Sequence, residues 1–92
     1  MILYHATTPK KVHRYKSTRA ILSPVRGFDT FDAAKYWAER HNRCIVLRFE
    51  TDDTKTHKLP DHHNIHGRAY WAEQNIEKWD IEWTKKGVVS DV

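Results

Sequence analysis

Ile2-Leu3-Tyr4-His5-Ala6-Thr7-Thr8-Pro9 opens the chain with an apolar run that ends in hydroxyls and a proline. That order reads as a short buried strand passing directly into a helix. Thr8 can accept a hydrogen bond at the helix cap, and Pro9 suits the first helical position, where the N–H has no intrahelical partner. His5 and Thr7 thus fall at the end of the strand. A histidine there titrates near neutral pH and can donate or accept. Such polar residues either cap the helix and nothing more, or they edge a site.

Outward from this strand, Val12 and Tyr15 give the first helix one narrow apolar edge. Ala20-Ile21-Leu22 predicts a brief buried strand stopped by Ser23-Pro24, because proline cannot donate to a ladder. Asp29 or Thr30 caps a second helix, in which Phe31, Ala34, Trp37, Ala38 and His41 share one face and Asn42 is the terminator. Residues 44–50 alternate, with Ile45, Leu47 and Phe49 facing one way. Cys44 and Val46 make the other face half apolar, which predicts a central strand. Residues 51–54 form a turn, residues 56–59 a short strand and residues 61–67 a polar loop. Ala69-Tyr70-Trp71-Ala72 follows as a strand. Ile76 then leads into a last one, with Trp79, Ile81 and Trp83 on one face and Asp80, Glu82 and Thr84 on the other. Lys85-Lys86-Gly87 closes the fold, and the last residues are expected to fray. The order predicts one α+β domain over residues 1–92, with two short helices and a mainly antiparallel sheet.

With 92 residues the core is modest, and four tryptophans must supply much of its burial. A mean hydropathy of −0.82 fits a well-hydrated surface. The net charge of +4 favours anionic partners. Lys10, Lys11, Arg14, Lys16, Arg19 and Arg26 follow one another with no acidic residue between them, either as a solvated helix face or as a binding surface. Cys44 is the single cysteine, so an internal disulfide is impossible and a reducing compartment is expected. With no secretory leader and no long apolar run in view, a cytoplasmic protein without membrane contact is expected.

The succession of a Tyr4-His5-Ala6-Thr7 strand, a short helix, a small strand ending in proline, and Gly27-Phe28-Asp29-Thr30 entering Asp32-Ala33-Ala34-Lys35-Tyr36-Trp37-Ala38 resembles the small ADP-ribosyltransferase-like superfamily. That superfamily includes the poly-ADP-ribose polymerases and the RNA 2′-phosphotransferases. The similarity spans most of the chain through short motifs, chief among them a likeness to the Tyr-His-Gly-Thr that opens many such domains. It implies a compact split sheet with an NAD-binding cleft between its halves. In that reading His5 hydrogen-bonds a ribose hydroxyl of NAD and Thr7 supports the strand end beside it. Phe28 lies where many relatives place a tyrosine against the nicotinamide, and Arg19 and Arg26 meet the pyrophosphate. Tyr4 and Tyr36, inside the quoted motifs, complete the cofactor set.

The chain departs from the family at Arg68-Ala69-Tyr70, where many relatives carry a glutamate that stabilises the oxocarbenium-like centre. Neither Arg68 nor Ala69 can do that. Glu73 is the carboxylate left to act with His5 if its loop folds back, so transferase activity is expected to be weak or lost. In a phosphotransferase-type member Arg68 would instead meet a phosphate, but those proteins are longer and carry a further domain. The resemblance thus implies NAD or an ADP-ribose-like ligand, with nucleic acid or protein as acceptor. The alternative from composition is a small basic module binding nucleic acid or a protein partner.

His57, His62, His63 and His66 cluster near Asp61, and His62 and His66 are four apart. Pro60 and Gly67 break any helix between them and no cysteine pair joins them, so the segment reads as a solvated or substrate-contacting loop, with no metal site. Cys44 starts a buried strand with nothing beside it to lower its pKa. The tryptophans at 71, 79 and 83 read as core rather than as base-stacking platforms.

Overall fold

The opening strand forms as read. In a computed structural model describing residues 1–85, β1 (Ile2–Thr7) buries Leu3 and Thr7 and pairs antiparallel with β3 (Ile45–Glu50), from Ile2↔Glu50 to Thr7↔Ile45. The expected fraying beyond Lys85 falls outside the described residues. Thr8 caps α1 (Pro9–Thr18), its hydroxyl accepting from the Lys11 N–H at 3.3 Å. Val12 is buried and Tyr15 packs beside it, while Arg19 ends the helix with a left-handed φ of 61°.

The second strand differs from expectation. Residues 20–22 supply one isolated bridge, Ile21 to Ile76, and the strand proper is β2 (Val25–Phe28), beyond the proline. Pro24 lacks an N–H, but a strand that begins after it loses no ladder bond. Gly27 sits where β1 and β2 come closest. A Cβ there would lie 3.0 Å from the Leu3 Cβ and 3.1 Å from the Tyr4 carbonyl oxygen, closer than ordinary contact. Thr30 caps α2 (Phe31–Arg40), accepting from the Ala33 N–H at 3.1 Å, and Asp32 lies in the first turn, where the helix dipole favours it. Asn42 takes a left-handed φ of 54°, and the next N–H, that of Arg43, returns to the Ala38 carbonyl.

β4 (Thr56–Lys58), β5 (Ala69–Ala72) and β6 (Asp80–Thr84) complete a six-stranded sheet of order β4-β5-β2-β1-β3-β6, antiparallel at every pairing. The protein is therefore α+β, with two helices against one antiparallel sheet. α1 covers one face through Leu3, Val12, Ile21, Val25, Ile45, Leu47 and Phe49. α2 covers the other through Ala33, Ala34, Ala38, Phe28, Val46 and Ala69. β3 lies inside the sheet, as its two apolar faces require.

The last strand does not keep the expected alternation. A register shift opposite Val46 and Leu47 places Trp83 against Val46 and Ile81 against Leu47, leaving Glu82 as the extra residue of a bulge. Trp79 consequently packs with the α1-side core and Trp83 with the α2-side core, while Ile81 is left 44% exposed. Among the described residues, no helix is long and apolar enough to cross a membrane.

Candidate functional site

β1 and β2 touch through a single register pair, Tyr4↔Phe28, although β1 and β3 share six. Beyond that pair the ladder gives way to a side chain. The Nδ1 of His5 lies 2.6 Å from the carbonyl oxygen of Arg26 on β2. A carbonyl can only accept, so Nδ1 carries the proton and Nε2 is left as an acceptor. The hydroxyl of Tyr15, 3.2 Å away, donates to Nε2, and the Thr7 hydroxyl donates to the Tyr15 oxygen at 3.4 Å. A directed chain thus runs from Thr7 through Tyr15 and His5 to the Arg26 carbonyl. Burial pushes the His5 pKa from 6.5 down to about 4. The bond to Arg26 opposes that shift, and the charges of Lys11 and Arg43 reinforce it. At neutral pH the imidazole is uncharged.

On the α2 side of this seam a cleft of about 250 Å³ opens. Its walls are Phe28, Trp37, Leu59 and Ala69, with the Phe28 and Trp37 rings 5.9 Å apart. Its cations are Lys11, Arg26 and Arg43, with His62 at the loop side, and among the described residues none that line it is acidic. Lys11, Arg26 and Arg43 take part in none of the ion pairs among the described residues. The Lys11 pKa is lowered, first by burial and then by Arg43 and Arg14. Among the described residues these like charges thus lie together without a counter-ion, an arrangement that an anion would relieve.

Three separate parts of the chain bring these cations to one corner. Lys11 sits in the first turn of α1, Arg43 follows the Asn42 turn that ends α2, and Arg26 precedes Gly27 on β2. The histidine loop, which gives His62 to the cleft, is fixed to the start of α2. The Gly67 N–H donates to the Asn64 carbonyl and the Asn64 N–H to the Gly67 carbonyl; Thr30 donates to the His66 carbonyl; and the Asn64 amide donates to the Ala33 carbonyl. The Arg68 N–H donates to the Asp29 carboxylate at 2.9 Å. Gly67 is pressed so close to α2 that a Cβ there would lie 2.6 Å from both the Asp29 Oδ1 and the Thr30 Oγ1. Among the described residues no group of three or more metal-ligating side chains converges.

Of the residues that the sequence singled out, His5, Arg26 and Phe28 line the cleft. Thr7 is buried beneath it and reaches His5 only through Tyr15. Tyr4 packs edge-on against Phe31 with ring centres 6.1 Å apart, and Tyr36 lies on the exposed side of α2 beside Arg40 and His66. Arg19 is spent as the exposed cap of α1. Glu73 follows the far end of β5, 3.4 Å from the His57 Nε2, and does not line the cleft. In the sequence Lys11 and His62 stand out only as parts of the basic run and the histidine loop, and Trp37 and Arg43 have no role in the site. Lys11 carried a signal, since a cation in the first turn of a helix with no acidic residue there opposes the helix dipole. Comparison of the chain with family models, with curated proteins and with solved structures finds no match.

Proposed function

We propose that the cleft beside His5 binds NAD or an ADP-ribose-like nucleotide in the manner of a small ADP-ribosyltransferase-like domain, with transferase chemistry weak or absent. One observation carries this reading: Phe28 and Trp37 adjoin Lys11, Arg26 and Arg43, and among the described residues no carboxylate lines the cleft. A planar ring packs against the apolar walls, one face of Trp37 being already covered by His41 with ring centres 3.9 Å apart, while phosphate oxygens accept from the guanidinium forks and the ammonium. The volume of about 250 Å³ lies below the usual range for small-molecule sites, roughly 300 Å³ and upward, so the cleft takes only part of the ligand and leaves the phosphates at its cationic rim. His5 borders the cleft at the seam, with its Nε2 turned to Tyr15 on the α1 side.

The weak-or-absent chemistry follows from what lines the cleft. Stabilising an oxocarbenium-like centre calls for a carboxylate beside it, and the lining supplies none. Titration with NAD and with ADP-ribose, followed by heteronuclear NMR and tryptophan fluorescence, tests the reading. Saturable shifts at Ala6, Gly27, Phe28 and Ala69 are expected, with much weaker binding of nicotinamide, which has no phosphate. Absence of shifts at millimolar NAD and ADP-ribose would refute it.

A further inference from the structure

Trp79 and Trp83 pack into the two cores as their sequence predicts, but Trp71 joins neither. It lies half-buried in the middle of β5. Strand alternation puts it on the α2 side of the sheet, the side of the cleft, because Ala69, two residues earlier on β5, lines the cleft and packs in the α2-side core. Its ladder partner on β2 is Arg26, a cation of the cleft, and its partner on β4 is His57. The His57 ring covers one face of the indole, with ring centres 4.7 Å apart and planes 36° apart, and is itself 3.4 Å from the Glu73 carboxylate. Side chains paired across a ladder flank one another, so the opposite face of the indole is the one towards Arg26. Among the described residues no second ring stacks on Trp71 and no cation lies over it; the cations over rings are Lys35 on Trp83 and Arg40 on Tyr36.

The cleft takes only part of a dinucleotide, and Arg26 at its rim lies one strand spacing, about 5 Å, from Trp71. We infer that Trp71 is the second ring subsite of this site. With the adenine of NAD in the cleft and the diphosphate on the cations at its rim, the nicotinamide lies on the face of Trp71 that His57 leaves open. The inference rests on the nucleotide reading and deepens it, because it makes the ligand a two-ring dinucleotide rather than a mononucleotide. The chemistry suits both halves. Any flat ring stacks on an indole, and the positively charged nicotinamide of NAD gains further from its electron-rich face. Three cations at the rim match a diphosphate better than the single phosphodiester that joins two bases of a nucleic acid.

Titration of the full chain with NAD, and with ADP-ribose, which lacks the nicotinamide, tests it through the indole N–H resonance of Trp71, assigned by its loss in Trp71→Phe. NAD should move that resonance together with the amides of Ala6, Gly27, Phe28 and Ala69. ADP-ribose should move the amides and leave the indole in place. Trp71→Ala should weaken NAD about tenfold, the value of one stacked ring, and ADP-ribose less than about twofold. Trp71→Phe keeps a ring on the strand and should hold NAD within about threefold. Trp71 belongs to neither core, so both variants should fold, as spectra with native dispersion would show. The inference fails, and the nucleotide reading stands, if NAD moves the cleft amides but spares the indole, or if Trp71→Ala weakens the two ligands alike. It fails as well if a diadenylate joined by a single phosphodiester binds more tightly than NAD. If neither NAD nor ADP-ribose moves any resonance, the nucleotide reading itself falls and takes this inference with it.

Discussion

The Nδ1–H of His5 donates to the Arg26 carbonyl across 2.6 Å, one strand's side chain bonding the next strand's backbone where their ladder stops at Tyr4↔Phe28. It satisfies a carbonyl that the ladder leaves unpaired, and His5 and Arg26 border cavities on both sides of this seam.

Stability should therefore depend on pH through His5. Its pKa is about 4 in the fold against 6.5 for a free imidazole, so the unfolded chain binds the extra proton first. The contribution is fully present above pH 6.5 and is lost as pH falls towards 4, amounting to up to about 3 kcal/mol for a shift of this size. Urea unfolding at a series of pH values should show this slope in the wild type and a flatter one in His5→Gln. A slope unchanged by the substitution would assign it to other groups.

Lys11 and Arg43 should contribute more to binding than to folding. Lys11→Gln or Arg43→Gln is expected to weaken ADP-ribose about tenfold, near the value of one charge-assisted hydrogen bond. Relief of like-charge crowding should leave the melting temperature unchanged or higher. Calorimetric titration beside thermal unfolding reads both quantities, and a loss of stability with no loss of affinity would contradict the assignment.

Gly67→Ala should loosen the histidine loop. The added methyl meets the Asp29 carboxylate and the Thr30 hydroxyl at 2.6 Å, so the loop or the start of α2 must shift. A cost of about 1–3 kcal/mol is expected, together with movement of the His62 ring resonances as that residue leaves the cleft. Wild-type stability and unchanged His62 resonances would show that the loop absorbs the methyl.

Glu73→Gln should leave nucleotide affinity unchanged within twofold, because Glu73 pairs with His57 outside the cleft. Both partners are about half exposed, so the pair contributes below about 1 kcal/mol to stability. A marked fall in affinity would mean that the loop after β5 reaches the ligand.

The sequence by itself determined the elements whose signals are local. Thr8-Pro9 and Thr30 start the helices because caps and proline act on neighbouring backbone groups, and Asn42 ends the second because it tolerates a left-handed turn. The alternation of Ile45, Leu47 and Phe49 likewise marked an interior strand. Tertiary contacts decided the rest. Beyond Pro24, β2 formed where Gly27 lets two backbones approach, and a bulge opposite Val46 and Leu47 sent Trp79 and Trp83 to opposite cores. The sequence pointed to His5, Arg26 and Phe28; it named Lys11 only within a basic run and His62 only within a polar loop, and it gave Trp37 and Arg43 no place in the site where all four now meet. Those four residues come from α1, α2, the turn after α2 and the loop after β4. Convergence of that kind depends on strand order and helix placement, to which one-dimensional spacing is blind.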